Sequence, residues 1–126
     1  MARILVIDDD DLPRRVVVRM LEAGGHDVRD AGDGMSGLRL WRETGADLVV
    51  TDLSMPDLTG FEVIDILHTE SPTLPILAIS GSLMVTDQEL VRRAGRMGAQ
   101  LLGKPFSREQ LMAAVASALE TAPGLQ

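Results

Sequence analysis

The stretch ILVIDDDD, residues 4–11, joins four aliphatic residues directly to four carboxylates. A continuous aliphatic run of this length is typical of a strand buried on both faces, as in a parallel sheet. Four adjacent acids at the end of such a strand repel one another, and they could relieve this repulsion by sharing protons or by binding a cation. The stretch therefore predicts a buried strand with a charged site at its carboxyl end.

Further short aliphatic runs alternate along the chain with segments of helical spacing. The runs are DVRD at 27–30, DLVVT at 47–51, LPILAI at 74–79 and QLLG at 100–103. The predicted apolar helix faces are Val16, Val17, Met20 and Leu21; Met35, Leu38 and Trp41; Phe61, Ile64 and Leu67; Leu90, Val91, Ala94 and Met97; and Leu111, Val115 and Leu119. Five strands alternating with five helices predict an α/β fold, (βα)5, with a doubly wound five-stranded parallel sheet.

Three of the helix starts carry the same capping signal. The tetrapeptides TGFE (59–62), TDQE (86–89) and SREQ (107–110) each place a hydroxyl three residues before a carboxylate or amide. In a capping box the two side chains bond reciprocally to free amide protons of the first helical turn. The three matches support the predicted order of elements.

Composition excludes several classes of function. The 126 residues suit one domain, and a net charge of −7 argues against direct binding of nucleic acid. The absence of cysteine excludes disulfides, thiol catalysis and thiolate metal sites. No apolar run approaches the ~20 residues of a membrane span, so a soluble cytoplasmic protein without membrane contact is expected.

Polar residues follow four of the five predicted strands. Asp8 and Asp9 follow the first, Asp52 the third, Ser80 the fourth and Lys104 the fifth. In a doubly wound sheet these positions converge on the functional crevice at the carboxyl ends of the strands. Oxygen ligands without His or Cys favour Mg²⁺, or else Mn²⁺. The set predicts a phosphoryl-transfer site in which a carboxylate is the nucleophile.

Nearby charged residues are given other roles. Asp11 is predicted to cap the first helix at the positive end of its dipole. Asp10 either supports the metal indirectly or has no role. Arg92, Arg93 and Arg96 are interpreted as a solvated face of the fourth helix. Gly60 is expected to serve either close packing or a turn.

The motifs ILVIDDD (4–10), VVTDLSMPDLTG (49–60), AISG (78–81) and GKPF (103–106) resemble the receiver domain of two-component response regulators. The resemblance covers essentially the whole chain. It implies a flavodoxin-like, CheY-like three-layer sandwich, with a receiver domain over 1–122 and a C-terminal tail over 123–126.

The resemblance also implies a role for each site residue. Asp52 would be the phosphoacceptor. Asp9 would bind Mg²⁺ directly, Asp8 mainly through a metal-bound water, and Ser54 through its backbone carbonyl. Ser80 would be the switch hydroxyl. Lys104 would bind the phosphoryl oxygens, with a cis Lys104–Pro105 bond.

The implied function is signalling and not turnover of an external substrate. A histidine kinase or histidine phosphotransfer protein would donate a phosphoryl group to Asp52 in a Mg²⁺-dependent reaction, and slow self-dephosphorylation would reset the domain. Phosphorylation would switch a protein-interaction surface on helix 4, strand 5 and helix 5, which a downstream effector or output domain reads. Leu101 departs from the family, which usually has an aromatic residue three positions before the lysine. Trp41 is expected to lie too far from Asp52 to sense phosphorylation directly.

Two other functions are compatible with parts of the pattern. Haloacid-dehalogenase-type phosphohydrolases also begin with a strand that ends in D-x-D, which Asp8–Asp10 matches, but there the first Asp is the nucleophile. A pseudo-receiver would keep the fold only for protein interaction. The N-terminal Met and short tail favour a stand-alone receiver, and an excised N-terminal receiver would have the same sequence.

Overall fold

A computed structural model describes residues 1–53, 60–81, 92–93, 95–96 and 98–120. The strands are β1 (Arg3–Ile7), β2 (Asp27–Ala31), β3 (Leu48–Asp52), β4 (Ile76–Ser80) and β5 (Ala99–Gly103). The helices are α1 (Asp11–Ala23), α2 (Gly34–Thr44), α3 (Gly60–Glu70) and a C-terminal helix (Arg108–Glu120). Each predicted strand is present, with bounds shifted by up to two residues.

The five strands form one parallel sheet in the order β2-β1-β3-β4-β5. The chain thus runs outward from β1 to one side and then returns to continue on the other. The switch in strand order lies between β1 and β3, which is where a doubly wound fold opens its crevice. The predicted fold class is confirmed.

The sheet is packed on both faces, because successive side chains of a strand point to opposite sides. Leu5, Ile7 and Val49 face the core shared with α2 and α3. Ile4, Val6 and Val50 face the core shared with α1 and the C-terminal helix. Burial of one such side chain contributes about 1.5–3 kcal/mol, so β1 and β3 are held in place from both sides.

The helix faces agree with the predictions in most positions. Val17, Leu38 and Leu111 are buried, as are all three predicted residues of α3. Two predictions were wrong: Val16 is 49% exposed and Met35 is 59% exposed. Val17 in α1 and Gly34 and Gly37 in α2 are buried, so Val16 and Met35 lie on the sides of their helices that face away from the core.

Only one of the three predicted capping boxes lies within the described residues. The Ser107 amide donates to Gln110 Oε1 at 2.7 Å, and the Gln110 amide donates to Ser107 Oγ at 3.0 Å. This reciprocal pair confirms the box at the start of the C-terminal helix. The boxes at 59–62 and 86–89 include residues outside the described ranges. So does most of the predicted fourth helix, of which Arg92, Arg93, Gly95 and Arg96 have helical backbone.

Candidate functional site

Backbone hydrogen bonds carry the sheet register past the ends of the strands. The Asp8 amide donates to the Ala31 carbonyl at 3.2 Å, and the Lys104 amide donates to the Ser80 carbonyl at 2.7 Å. The Leu53 amide donates to the Ile79 carbonyl at 2.9 Å. The residues that follow β1, β3 and β5 are therefore fixed at one end of the sheet before any side-chain contact is considered.

Three carboxylates meet there. Asp8, Asp9 and Asp52 each offer an oxygen, and these oxygens all lie within 4.8 Å of one another. Asp8 is 5% exposed and Asp52 is 9% exposed, whereas Asp9 is open to solvent. Two like charges at 4 Å repel by about 4 kcal/mol at an effective dielectric constant near 20. The cluster is a set of hard oxygen donors that suits Mg²⁺ or Mn²⁺ and opens to solvent on the Asp9 side.

The Asp8 carboxylate is held from two directions. Its Oδ1 accepts a hydrogen bond from the Asp10 amide at 3.0 Å, and its Oδ2 lies 4.0 Å from Lys104 Nζ. Burial raises the pKa of the Asp8 carboxyl above its ordinary value, and the charges of Asp52 and Asp9 add to this rise. The Asp10 amide and Lys104 oppose it. A bound cation would offset the repulsion of the Asp8 carboxylate by Asp52 and Asp9.

Lys104 is the cation that the described part of the site supplies. Its Nζ lies 3.5 Å from Asp52 Oδ2, and its side chain is 33% exposed. The cis peptide bond predicted between Lys104 and Pro105 is present. One ammonium against three carboxylates leaves the described part of the site with an excess of negative charge.

Ser80 ends β4 beside β3 and is fully buried. Its hydroxyl donates to the Gly81 carbonyl at 3.4 Å, which is long for a hydroxyl donor. Leu101, on β5, lies opposite Ala78 and packs against the core shared with α2 and α3. Among the described residues the Ser80 hydroxyl thus has one long contact, and Leu101 is a packed aliphatic side chain at the position where the family that the sequence resembles usually has an aromatic residue.

Gly60 lies where α3 begins, directly against the backbone that follows β3. Its amide donates to the Leu53 carbonyl at 3.2 Å. A Cβ at this position would lie 2.2 Å from the Asp52 carbonyl oxygen and 2.5 Å from Leu53 Cα. Close packing is therefore the reason for glycine, and the contact braces the segment that carries Asp52.

The remaining acids of the opening stretch differ from expectation. Asp10, and not Asp11, occupies the N-cap position of α1, and its side chain makes no capping hydrogen bond. Asp11 lies in the first turn, where its Oδ1 accepts from Arg14 Nη2 at 2.7 Å. The prediction that Asp11 caps the helix was wrong because the helix begins one residue earlier than expected and an arginine binds the carboxylate.

Arg14 was missed by the sequence interpretation. Besides Asp11, its guanidinium donates to the Asp8 carbonyl at 2.8 Å and to Asp30 Oδ2 at 2.8 Å. Burial alone would lower the pKa of Arg14, but the hydrogen bonds to Asp30 and Asp11 raise it above its ordinary value. The only sequence signal was the i,i+3 spacing of Asp11 and Arg14.

The other expectations concern residues around the site. Ser54 lies outside the described residues. Arg92, Arg93 and Arg96 are exposed, as a solvated face requires, and the Arg93 guanidinium lies 4.3 Å from the centre of the Phe61 ring. Trp41, near the end of α2, lines a pocket with Arg3 and Leu74 at the opposite end of the sheet. Among the described residues, no helix is long and apolar enough to span a membrane.

Known proteins with the same fold match this chain over most of its length. The family model described as "Response regulator receiver domain" matches residues 4–116. The response regulator MprA of Mycobacterium sp. (strain KMS) is 38% identical over 111 residues, which are 88% of this chain and 47% of that protein. The probable transcriptional regulatory protein TcrX of Mycobacterium tuberculosis is 34% identical over 109 residues, 86% of this chain and 46% of that protein. The chain therefore spans slightly less than half the length of these relatives.

Two solved structures match nearly end to end. A response regulator receiver domain protein from Clostridium thermocellum has a TM-score of 0.89 and 29% identity, with all of both chains covered. The receiver domain of NtrX from Brucella abortus has a TM-score of 0.85 and 33% identity, covering 94% of this chain and 98% of that one. The family match over most of the length leads to one identification: this chain belongs to the response regulator receiver domain family of two-component signalling.

Proposed function

We propose that this chain is a phosphorylation-dependent switch in which Asp52 accepts a phosphoryl group from a phosphohistidine. The donor is a histidine kinase or a histidine phosphotransfer protein in the cytoplasm. The observation that carries the proposal is the convergence of three carboxylates within 4.8 Å, with Lys104 Nζ 3.5 Å from Asp52 Oδ2. The receiver domain is proposed to comprise residues 1–122, followed by a short tail.

In the proposed reaction a carboxylate oxygen of Asp52 attacks the phosphorus in line. A phosphorus–oxygen bond forms, the phosphorus–nitrogen bond breaks, and the imidazole of the donor leaves with its electron pair and takes up a proton. Lys104 offsets the charge of the phosphoryl oxygens, since its ammonium already lies beside Asp52. The product is an acyl phosphate on Asp52, which water slowly hydrolyses.

The same residues fit a divalent cation. Asp9 and Asp52 would be direct ligands together with the Ser54 carbonyl, and Asp8 would act mainly through a water. When bound, Mg²⁺, or Mn²⁺ in its place, would neutralise charge between the carboxylates and the incoming phosphoryl oxygens. The exposed Asp9 provides the side from which metal and donor approach.

Ser80 is proposed to carry the signal away from the site. Among the described residues its hydroxyl has one long contact, to the Gly81 carbonyl, so a turn toward a phosphoryl group would give up little there. Since Leu101 replaces the usual aromatic residue, the change is transmitted by aliphatic packing toward the surface of the predicted fourth helix, β5 and the C-terminal helix. An output domain or separate effector reads that surface, as the names of the transcriptional relatives suggest.

Intact-mass spectrometry after incubation with Mg²⁺ and acetyl phosphate or phosphoramidate tests the proposal. The wild type is expected to gain one phosphoryl group that hydroxylamine removes, and EDTA is expected to prevent the gain. Asp52→Asn should gain none, whereas Asp65→Asn, which neutralises an exposed acid on α3, should behave as the wild type does.

Other results would select one of the alternative functions. A label on Asp8 that persists in Asp52→Asn would favour the phosphohydrolase mechanism. A folded wild type that takes up no phosphoryl group under any of these conditions would favour a pseudo-receiver. Either result contradicts the proposed function.

A further inference from the structure

Arg14 connects three separate segments behind the acidic cluster. It lies one turn into α1, and its side chain is 14% exposed. Nη1 donates to the Asp8 carbonyl, Nε to Asp30 on β2, and Nη2 to Asp11 at the start of α1, each at 2.7–2.8 Å. Short hydrogen bonds of a charged donor are about twice as strong as neutral ones, so the loop between β1 and α1 is tied on three sides.

Only a guanidinium suits this arrangement. Arginine presents its donors in a planar, rigid fork, whereas lysine concentrates its charge at one nitrogen. The space is also limited, since a Cβ on Gly32 would lie 3.2 Å from Arg14 Nη1. Among the described groups, the three acceptors and the glycine backbone surround the guanidinium closely.

Asp8 is consequently fixed at two points. Its carbonyl accepts from Arg14, and its carboxylate oxygen Oδ1 accepts from the Asp10 amide at 3.0 Å. The second bond depends on the path of the chain from 8 to 11, which Arg14 holds at both ends through the Asp8 carbonyl and the Asp11 carboxylate. The direction of the Asp8 carboxylate toward Asp9 and Asp52 thus depends on Arg14.

We propose that Arg14 is a positioning residue for the divalent-cation site: it holds the loop between β1 and α1 in the conformation that aims the Asp8 and Asp9 carboxylates at Asp52. The inference rests on the proposed function, because it concerns the cation that the proposed reaction uses. Arg14 itself does not touch the metal or the phosphoryl group.

Charge and positioning predict opposite results when Arg14 is removed. If the guanidinium acted only as a nearby cation, its loss would make the site more negative and would tighten cation binding. The loss would also release the negative charges of Asp11 and Asp30, with the same sign of effect. Positioning predicts weaker binding despite the added negative charge. The direction of the change therefore separates the two roles.

The experiment measures Mn²⁺ binding directly, from the electron paramagnetic resonance signal of the free ion, in the wild type, Arg14→Ala, Arg14→Lys and Arg15→Ala. Arg15 is the neighbouring exposed arginine on α1, so its variant removes the same charge from the same helix. Circular dichroism melting in EDTA checks the fold of each variant without metal.

We expect Arg14→Ala and Arg14→Lys to bind Mn²⁺ about tenfold or more weakly, as is usual when a residue that orients metal ligands is lost. Arg15→Ala should bind as the wild type does or slightly more tightly. If Arg14→Ala does not fold, Arg14→Lys decides alone: weakened binding supports the inference, and unchanged binding overturns it. Unchanged or tighter binding by a folded Arg14→Ala overturns it as well. If the wild type itself binds no Mn²⁺, the proposed function fails first.

Discussion

Charged side chains are paired at the amino end of the sheet, whereas like charges lie close together at its carboxyl end. At the amino end, the Asp47 carboxylate accepts from the Arg3 amide at 2.8 Å, and the Arg3 guanidinium donates to the Thr44 carbonyl at 3.2 Å. Nearby, Arg42 forms a two-pronged ion pair with Glu70 that joins α2 to α3. At the carboxyl end, three carboxylates lie together with one ammonium. Oppositely charged pairs at the amino end stabilise the fold, whereas the excess of carboxylates at the carboxyl end is available to bind a cation.

The largest expected effect tests whether the excess charge is what binds metal. Replacing Asp9 by Asn removes one oxygen charge from the cluster, and Mg²⁺ affinity should fall at least about tenfold, since even indirect perturbations cost this much. Isothermal titration calorimetry measures the affinity. Glu70→Gln, which neutralises an acid at the amino end, is the matched control and should bind Mg²⁺ as the wild type does. Equal affinities of Asp9→Asn and the wild type would contradict the difference drawn between the two ends.

The next effect tests how rigidly the carboxyl end is built. Gly60→Ala places a Cβ 2.2 Å from the Asp52 carbonyl oxygen, so α3 or the Asp52 backbone must move. Such overpacking costs about 1–3 kcal/mol of unfolding free energy, and Mg²⁺ binding should weaken because Asp52 shifts. Urea denaturation measures the first and calorimetry the second.

Gly81→Ala provides the comparison at the same end of the sheet. Among the described residues, no atom lies within 4 Å of a Cβ built on Gly81, so the unfolding free energy of this variant should stay within about 0.5 kcal/mol of the wild type. If both variants were equally stable, close packing would not explain Gly60.

A smaller effect concerns the metal-free protein. The pKa of Asp8 is raised by burial above the ordinary value of 3.8, so the folded state binds more protons than the unfolded state in the window that starts near 3.8 and ends at the raised pKa. Stability should therefore decrease as pH rises through that window. Asp8→Asn removes this loss, and in EDTA it should be more stable than the wild type at neutral pH.

Thermal melting across pH measures how the stability of the wild type and that of Asp8→Asn change with pH. With Mg²⁺ at a hundredfold excess over its dissociation constant, the wild type should gain about 2.7 kcal/mol and Asp8→Asn much less. If Asp8→Asn were less stable than the wild type in EDTA, and its stability had the same pH dependence, the contact with Lys104 would outweigh the cost of burying the Asp8 charge.

The sequence predicted the features that depend on the periodicity of apolar residues and on the order of strands and helices along the chain. The aliphatic runs of β1, β3 and β4 predicted a sheet that is buried on both faces, and the acids at the carboxyl ends of β1 and β3 lie together because parallel strands end at the same side. The prediction was wrong where a one-residue boundary mattered, as at Asp11. It was also wrong where an apolar residue lies beside the buried face of its helix and not on it, as at Val16 and Met35.

Contacts between distant segments could not be predicted in the same way. Arg14 reaches Asp30, sixteen residues away, and no periodicity records that contact. Gly60 is similar: the sequence left packing and turn as alternatives, and only the backbone of Asp52 and Leu53 decides between them. Side-chain chemistry shows which residues can form a site, but the residues that brace it are set by three-dimensional proximity.

The smallest expected effect lies at the amino end. Arg42 holds the pKa of Glu70 below its ordinary value by hydrogen bonding, and both side chains are well exposed. A lowered pKa means that the stability contributed by the pair is present above pH 4.5 and is lost as pH falls through the folded-state pKa. A double-mutant cycle of Arg42→Ala and Glu70→Gln should therefore give a small favourable coupling at neutral pH that disappears in acid and shrinks in high salt. Because the pair is balanced and distant from Asp52, the same variants should leave phosphoryl uptake unchanged; an altered uptake would show that the two ends of the sheet are coupled.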